Sequence, residues 1–135
     1  MDLSKVMQIS AAGMDAEGTR LKTIAENMAN ANSVAPPGGQ TYRRKLVTFQ
    51  DTLDHASGLN LVQAKGVEYD QSPLPTKYDP GNPSANPQGY VEMPNVNTLI
   101  EAMDMRESQR SYEANLDMVD VSKSMLVKTI NLLQN

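Results

Sequence analysis

Cysteine and tryptophan are missing from all 135 residues, and histidine and phenylalanine occur once each, as His55 and Phe49. Without cysteine there can be no disulfide framework, thiol nucleophile or thiolate-bound zinc, and a lone histidine rules out multi-histidine metal sites. Basic charge is also scarce: twelve Lys and Arg stand against sixteen Asp and Glu, and the net charge of −4 has the wrong sign for neutralising phosphates. Nucleic acid is not an expected partner. Apolar runs last only a few residues, far short of the roughly 20 that cross a bilayer, and Met1–Ser10 has no signal-peptide core. The chain is expected to be soluble, without insertion into a membrane.

What is present is unevenly placed. All eight prolines fall between Pro36 and Pro94, together with six of the eight glycines and five of the six aromatics. Eight of the nine methionines lie outside that stretch. This divides the chain into an N-terminal assembly helix within 1–35, a small β-rich middle segment with an extended loop at 36–94, and a C-terminal assembly helix within 95–135. The fold class expected is α+β, two long terminal helices in a coiled-coil-like pair with a Pro- and Gly-rich β segment between them.

In the first segment Met7, Met14, Leu21 and Met28 recur every seven residues beside a second row, Leu3, Ser10, Glu17, Ile24 and Ala31. This is a narrow heptad seam, broken at Ser10 and Glu17. Gly13 and Gly18 each cost a helix about 1 kcal/mol relative to alanine, so this helix needs partners, and the small run Ser10–Gly13 allows a neighbour to come close. In the last segment Thr98 and Glu101 fit a capping box, and no proline or glycine follows as far as Leu133. One seam there is Met105, Tyr112, Val119, Leu126 and Leu133, flanked by Ala102, Gln109, Leu116, Lys123 and Ile130. A sparser row runs Val96, Ile100, Met103, Ala114, Met118, Val121 and Met125. Pairing with the N-terminal helix would use one stripe and leave the other exposed. Methionine repacks easily against unlike neighbours, which suits such a surface. The residues expected to form assembly contacts are Leu3, Met7, Met14, Leu21, Ile24, Met28, Met105, Tyr112, Leu116, Val119, Leu126, Ile130 and Leu133.

Between the helices, 41–49 alternates like a strand, and 59–70 reads as one strand interrupted at Gly66 or two joined there; 74–78 and 89–93 are shorter extended pieces. Asp51, Asp54 and His55 group together, but three such residues without a second histidine make a poor metal or acid–base site. The acidic series Glu101, Asp104, Glu107, Glu113, Asp117 and Asp120 reads as a solvated helix face, with Glu107 and Arg110 in pairing register. Arg43-Arg44-Lys45 reads as decoration of an exposed strand or a dock for an acidic neighbour. Nothing in the sequence resembles a phosphate loop or a nucleophile elbow, and neither enzymatic activity nor a cofactor or metal is expected.

The stretch Leu21–Ser33, closing on Asn27, Asn30 and Ser33, resembles the N-terminal signature of the bacterial flagellar rod and hook proteins. Arg110–Asn115, with Tyr112 and Asn115, followed by Lys123–Ile130, resembles that family's C-terminal signature. Tyr78–Asn97 narrows the resemblance to its proximal-rod members. The resemblance implies a structural subunit stacked helically through its terminal helices, with the β segment outside, linking a membrane ring to the distal rod and transmitting torque. It also implies partners: further copies of the chain, other proximal rod proteins, a rod adaptor subunit, distal rod proteins and the flagellar type III export apparatus. Export from the cytoplasm to the periplasmic basal body would then need no cleaved signal peptide. A helical adaptor or secretion chaperone that binds partner helices is the alternative reading.

Overall fold

The computed structural model describes residues 2–133. Helix α1 spans Leu3–Asn30, and the side chain of Asp2 caps it by accepting from the Ser4 amide at 3.2 Å. Strands β1 (Lys45–Asp54) and β2 (Leu59–Tyr69) form an antiparallel hairpin, and the short β3 (Thr76–Tyr78) and β4 (Tyr90–Glu92) form a second one. Helix α2 runs over Thr98–Leu133. The two helices pack on each other, and α1 also carries the β1–β2 hairpin.

Several expectations shift by a few residues. The first strand begins at Lys45 rather than at position 41 and continues to Asp54, because the amides of Arg44 and Lys45 are taken by the side chains of Asn95 and Asn27. The 59–69 segment is one strand: pairing jumps from Thr48–Gly66 to Phe49–Ala64, so Lys65 is a bulge residue and the interruption is absorbed. The cap of α2 is Asn97, whose Oδ1 accepts from the Leu99 and Ile100 amides at 3.0 and 3.4 Å, and not Thr98. Glu101 is therefore released from a capping box and used elsewhere. In the small β unit Gly89 has φ +82° and would place a Cβ 2.9 Å from the Tyr78 ring, which makes edge contact with Tyr90 at 5.3 Å.

The helices run antiparallel. Asn27 meets Glu101, Arg20 meets Glu107, and Gly13 faces Asn115, whose amide lies 2.9 Å from where a Cβ on that glycine would stand. The inward row of α2 is Glu101, Ser108, Asn115 and Ser122, spaced by seven, with three of the four buried and Asn115 half-buried. These small and polar residues, and not Ala102, Gln109, Leu116, Lys123 and Ile130, accompany Met105, Val119 and Leu126 in the seam. Apart from Pro94, the apolar residues buried among those described are Ala16, Ile24, Ala31 and Val91. The exposed surface, 9268 Å², exceeds the roughly 7,000 Å² of a compact monomer of this mass by about a third.

Candidate assembly surface

A polar joint ties both helices to the hairpin. Asn27, in the last turn of α1, donates to the Lys45 carbonyl at 2.8 Å and accepts from the Lys45 amide at 2.9 Å, so its amide acts as a one-residue strand partner. The same side chain donates to Glu101 Oε2 at 3.0 Å and accepts from the Tyr42 hydroxyl at 2.8 Å. Glu101 is 1% exposed, and its Oε1 accepts from Arg44 Nε; Arg44 Nη2 reaches Asp104 at 3.1 Å. Asn95 receives the Arg44 amide at 2.8 Å and donates to Ser72 Oγ at 2.8 Å, which brings the chain from β2 to the same place.

Charges at the edge of the joint respond to it. Lys45 donates to Glu26 at 2.9 Å; that hydrogen bond holds the Glu26 carboxyl below its ordinary range and raises Lys45. Burial pushes the Tyr42 hydroxyl up. Arg44 and Lys45 of the basic cluster therefore dock on acidic residues of their own chain, while Arg43 donates to the Asp70 and Ser72 carbonyls, and Glu101, read from sequence as part of a solvated face, is as enclosed as Asn27. Glu107 pairs with Arg20 across the helices at 3.9 Å instead of with Arg110 along its own.

The family-signature residues found from sequence fall into three roles. Asn27 is the hub of the joint. Asn30 and Ser33 close α1: Asn30 donates to the Glu26 carbonyl at 2.8 Å, and Ser33 Oγ to the Asn30 carbonyl at 2.9 Å. Asn115 sits against Gly13 and donates to the Ser111 carbonyl at 3.0 Å, while Tyr112 is exposed beside Met14, Gly18 and Lys22. Sequence reasoning placed Arg44 only in a basic cluster and Glu101 only in a helix start and a solvated face, and gave Tyr42 and Asn95 no role. The signal that could have found Glu101 is its place at the head of the heptad row Ser108, Asn115 and Ser122.

Most of the side chains expected to make assembly contacts are not covered within one chain. Ile24 is buried; Leu3, Met7, Met14, Leu21, Met28, Met105, Val119 and Leu126 are half-buried; Tyr112, Leu116, Ile130 and Leu133 are exposed. The sparser row adds Ile100, Met103, Met118, Val121 and Met125, all exposed. From the Gly13–Asn115 contact, Leu3 lies opposite about residue 125, so the last two turns of α2 project past α1 as a tab in which Leu132 and Leu133 are 79% and 82% exposed. Together these make an exposed apolar surface at the start of α2 and again from Tyr112 to Leu133, far above the scattered exposure of an ordinary monomer.

The remaining candidate is the hairpin tip. Asp54 accepts from the Ala56 amide at 3.1 Å and the Ser57 hydroxyl at 2.6 Å, which lowers its pKa and shapes the turn, with Gly58 at φ +69°. Asp51 and His55 point into solvent on either side of it. No group of three or more metal-binding side chains occurs among the described residues, and none of the described helices is long and apolar enough to cross a membrane.

Along its whole length the chain is similar to known proteins. The family described as flagellar basal body rod FlgEFG protein, C-terminal, matches residues 88–132, which take in β4 and nearly all of α2. The flagellar basal-body rod protein FlgC of Agrobacterium fabrum is 46% identical over 133 residues, covering 98% of this chain and 96% of that one. The FlgC protein of Escherichia coli is 39% identical over 134 residues, covering 99% and 100%. That of Borreliella burgdorferi is 35% identical over 152 residues, covering 99% of each. With identity at this level from end to end, the chain belongs to the FlgC family of flagellar basal-body rod proteins.

Proposed function

We propose that this chain is a structural subunit of the proximal part of the flagellar rod and that it packs against its neighbours through the apolar faces of α1 and α2, with the β1–β2 hairpin outside the helix layer. The single observation that carries this reading is the exposed apolar surface of α2, at Ile100 and Met103 and again from Tyr112 to Leu133, in a chain with so few buried apolar side chains. Its surplus of roughly 2,000 Å² over a compact monomer is more than twice the ~800 Å² that one standard partner covers on each side. Several neighbours are needed to cover it, as in a helical stack. Further copies, other proximal rod proteins, a rod adaptor subunit and distal rod proteins supply them. In that position the subunit links the membrane ring to the distal rod and passes torque between them. Delivery to the periplasm runs through the flagellar type III export apparatus, without cleavage. The role is structural, which implies that the chain is not an enzyme.

The test replaces Met118 and Met125, 49% and 51% exposed, in a strain whose only copy carries the change. Met118→Asp with Met125→Asp is expected to leave the helical circular dichroism of the purified chain unchanged, to abolish swimming and to leave isolated basal bodies without a rod. Normal swimming would overturn the stripe assignment. Discrete soluble complexes, with the chain absent from basal bodies, would favour the adaptor reading instead.

A further inference from the structure

The two helices differ in length by about one heptad, 28 residues against 36. Helix α1 can therefore be overlapped along its whole length in two ways: as observed, with Gly13 against Asn115, or moved by seven residues, ~10.5 Å, with Gly13 against Ser122. The seam itself barely distinguishes them. Ser108, Asn115 and Ser122 repeat at the same heptad position, so the move exchanges one small polar residue for another. Ser108 Oγ, in a side chain 0% exposed, has no hydrogen-bond partner to hold it in place. In the moved register Leu3 would lie opposite Leu132 and Ser10 opposite Met125, so the tab would be covered by α1.

What separates the two is the polar joint. In the observed register both Glu101 oxygens are satisfied, by Asn27 and by Arg44, and Arg44 also holds Asp104. In the moved register Ser108 would face Asn27, and Glu101 would pass beyond the end of α1 and lose both partners. We propose that the Asn27–Arg44–Glu101 joint is a register clamp: it holds α1 on the first four-fifths of α2 and so keeps the apolar side chains of the tab at 127–133 open to a neighbour. Without the clamp, an unpaired buried carboxylate opposes the observed register, while solvation of Glu101 and burial of the tab favour the other.

The absence of cysteine makes this directly measurable in the full purified chain. Gly13→Cys with Asn115→Cys reports the observed register. Gly13→Cys with Ser122→Cys, carrying Asn115→Ser to give the new side chain room, reports the moved one. A disulfide needs Cα atoms within about 7 Å, so the second pair cannot close without the slide. Under mild oxidation the unaltered clamp is expected to give the first disulfide and almost none of the second. Adding Asn27→Ala and Arg44→Met is expected to raise the ratio of second to first by about tenfold or more, the effect of losing a charge-assisted hydrogen bond. Adding Glu101→Leu as well removes the stranded charge and is expected to restore the first disulfide. If the first disulfide alone forms after the clamp is removed, the proposal fails. Equal formation of both, with the helical circular dichroism lost, also overturns it, because the joint would then stabilise the pair without selecting a register.

Discussion

Asn27 does the work of three residues because a carboxamide offers a donor and an acceptor side by side. The Lys45 backbone uses both, while the second amide hydrogen and the second lone pair remain for Glu101 and Tyr42. A carboxylate or a hydroxyl could not meet all four. Glu101 in turn is a buried charge whose desolvation is offset only by its two partners. Glu101→Ala leaves Arg44 with Asp104 alone and an Asn27 amide hydrogen unpaired, and is expected to destabilise the chain by about 1–3 kcal/mol, read from urea unfolding; a loss within the surface range of about 0.5 kcal/mol would show that the pair contributes little. Acid stability follows from the lowered carboxyls. Glu26 lies below its ordinary 4.5 through Lys45, and Asp54 and Asp70 lie below 3.8 through hydrogen bonds to Ser57 and Ser72. A lowered folded pKa contributes stability above the unfolded value and loses it as pH falls through the folded one. The melting temperature should thus decline below about pH 4.5, and Lys45→Met should remove the Glu26 share of that decline while Asp54 and Asp70 keep theirs. An unchanged acid limb in Lys45→Met would contradict the pairing.

Between the elements, contact depends on small side chains. Gly13 lets Asn115 lie across the backbone of α1, and Gly13→Leu is expected to wedge the helices apart at a cost of about 1–3 kcal/mol, with Gly13→Ala milder, both measured by thermal unfolding. Equal stability of the leucine variant would refute the close approach. The same smallness explains what could be read from sequence. The 36 residues of α2 were legible because no proline or glycine interrupts them, and strands at 41–49 and 59–70 were legible from their alternation, though not their pairing. The close approach at Ser10–Gly13 was legible from its composition. The inward row Glu101, Ser108, Asn115 and Ser122 was not, because heptad reading looks for apolar residues, and here the packed row is polar while methionine and leucine face outward. Arg44 and Glu101 are far apart in sequence, and no local pattern pairs them. The cap moved by one residue because Asn97 outcompetes Thr98 for the helix amides.

Across the whole molecule the two ends of the helix pair are unlike. One end is tied by the joint of Asn27, Arg44, Asn95 and Glu101; the other is an uncovered tab of α2 ending at the highly exposed Leu133. Two copies related by a twofold axis would bring identical ends together and leave the opposite ends of both bare. A contact between unlike ends or flanks, by contrast, leaves the next place open each time a subunit is added. The overhang of α2 thus gives the subunit a direction, so that anything built from it has a base and a growing tip that can be told apart.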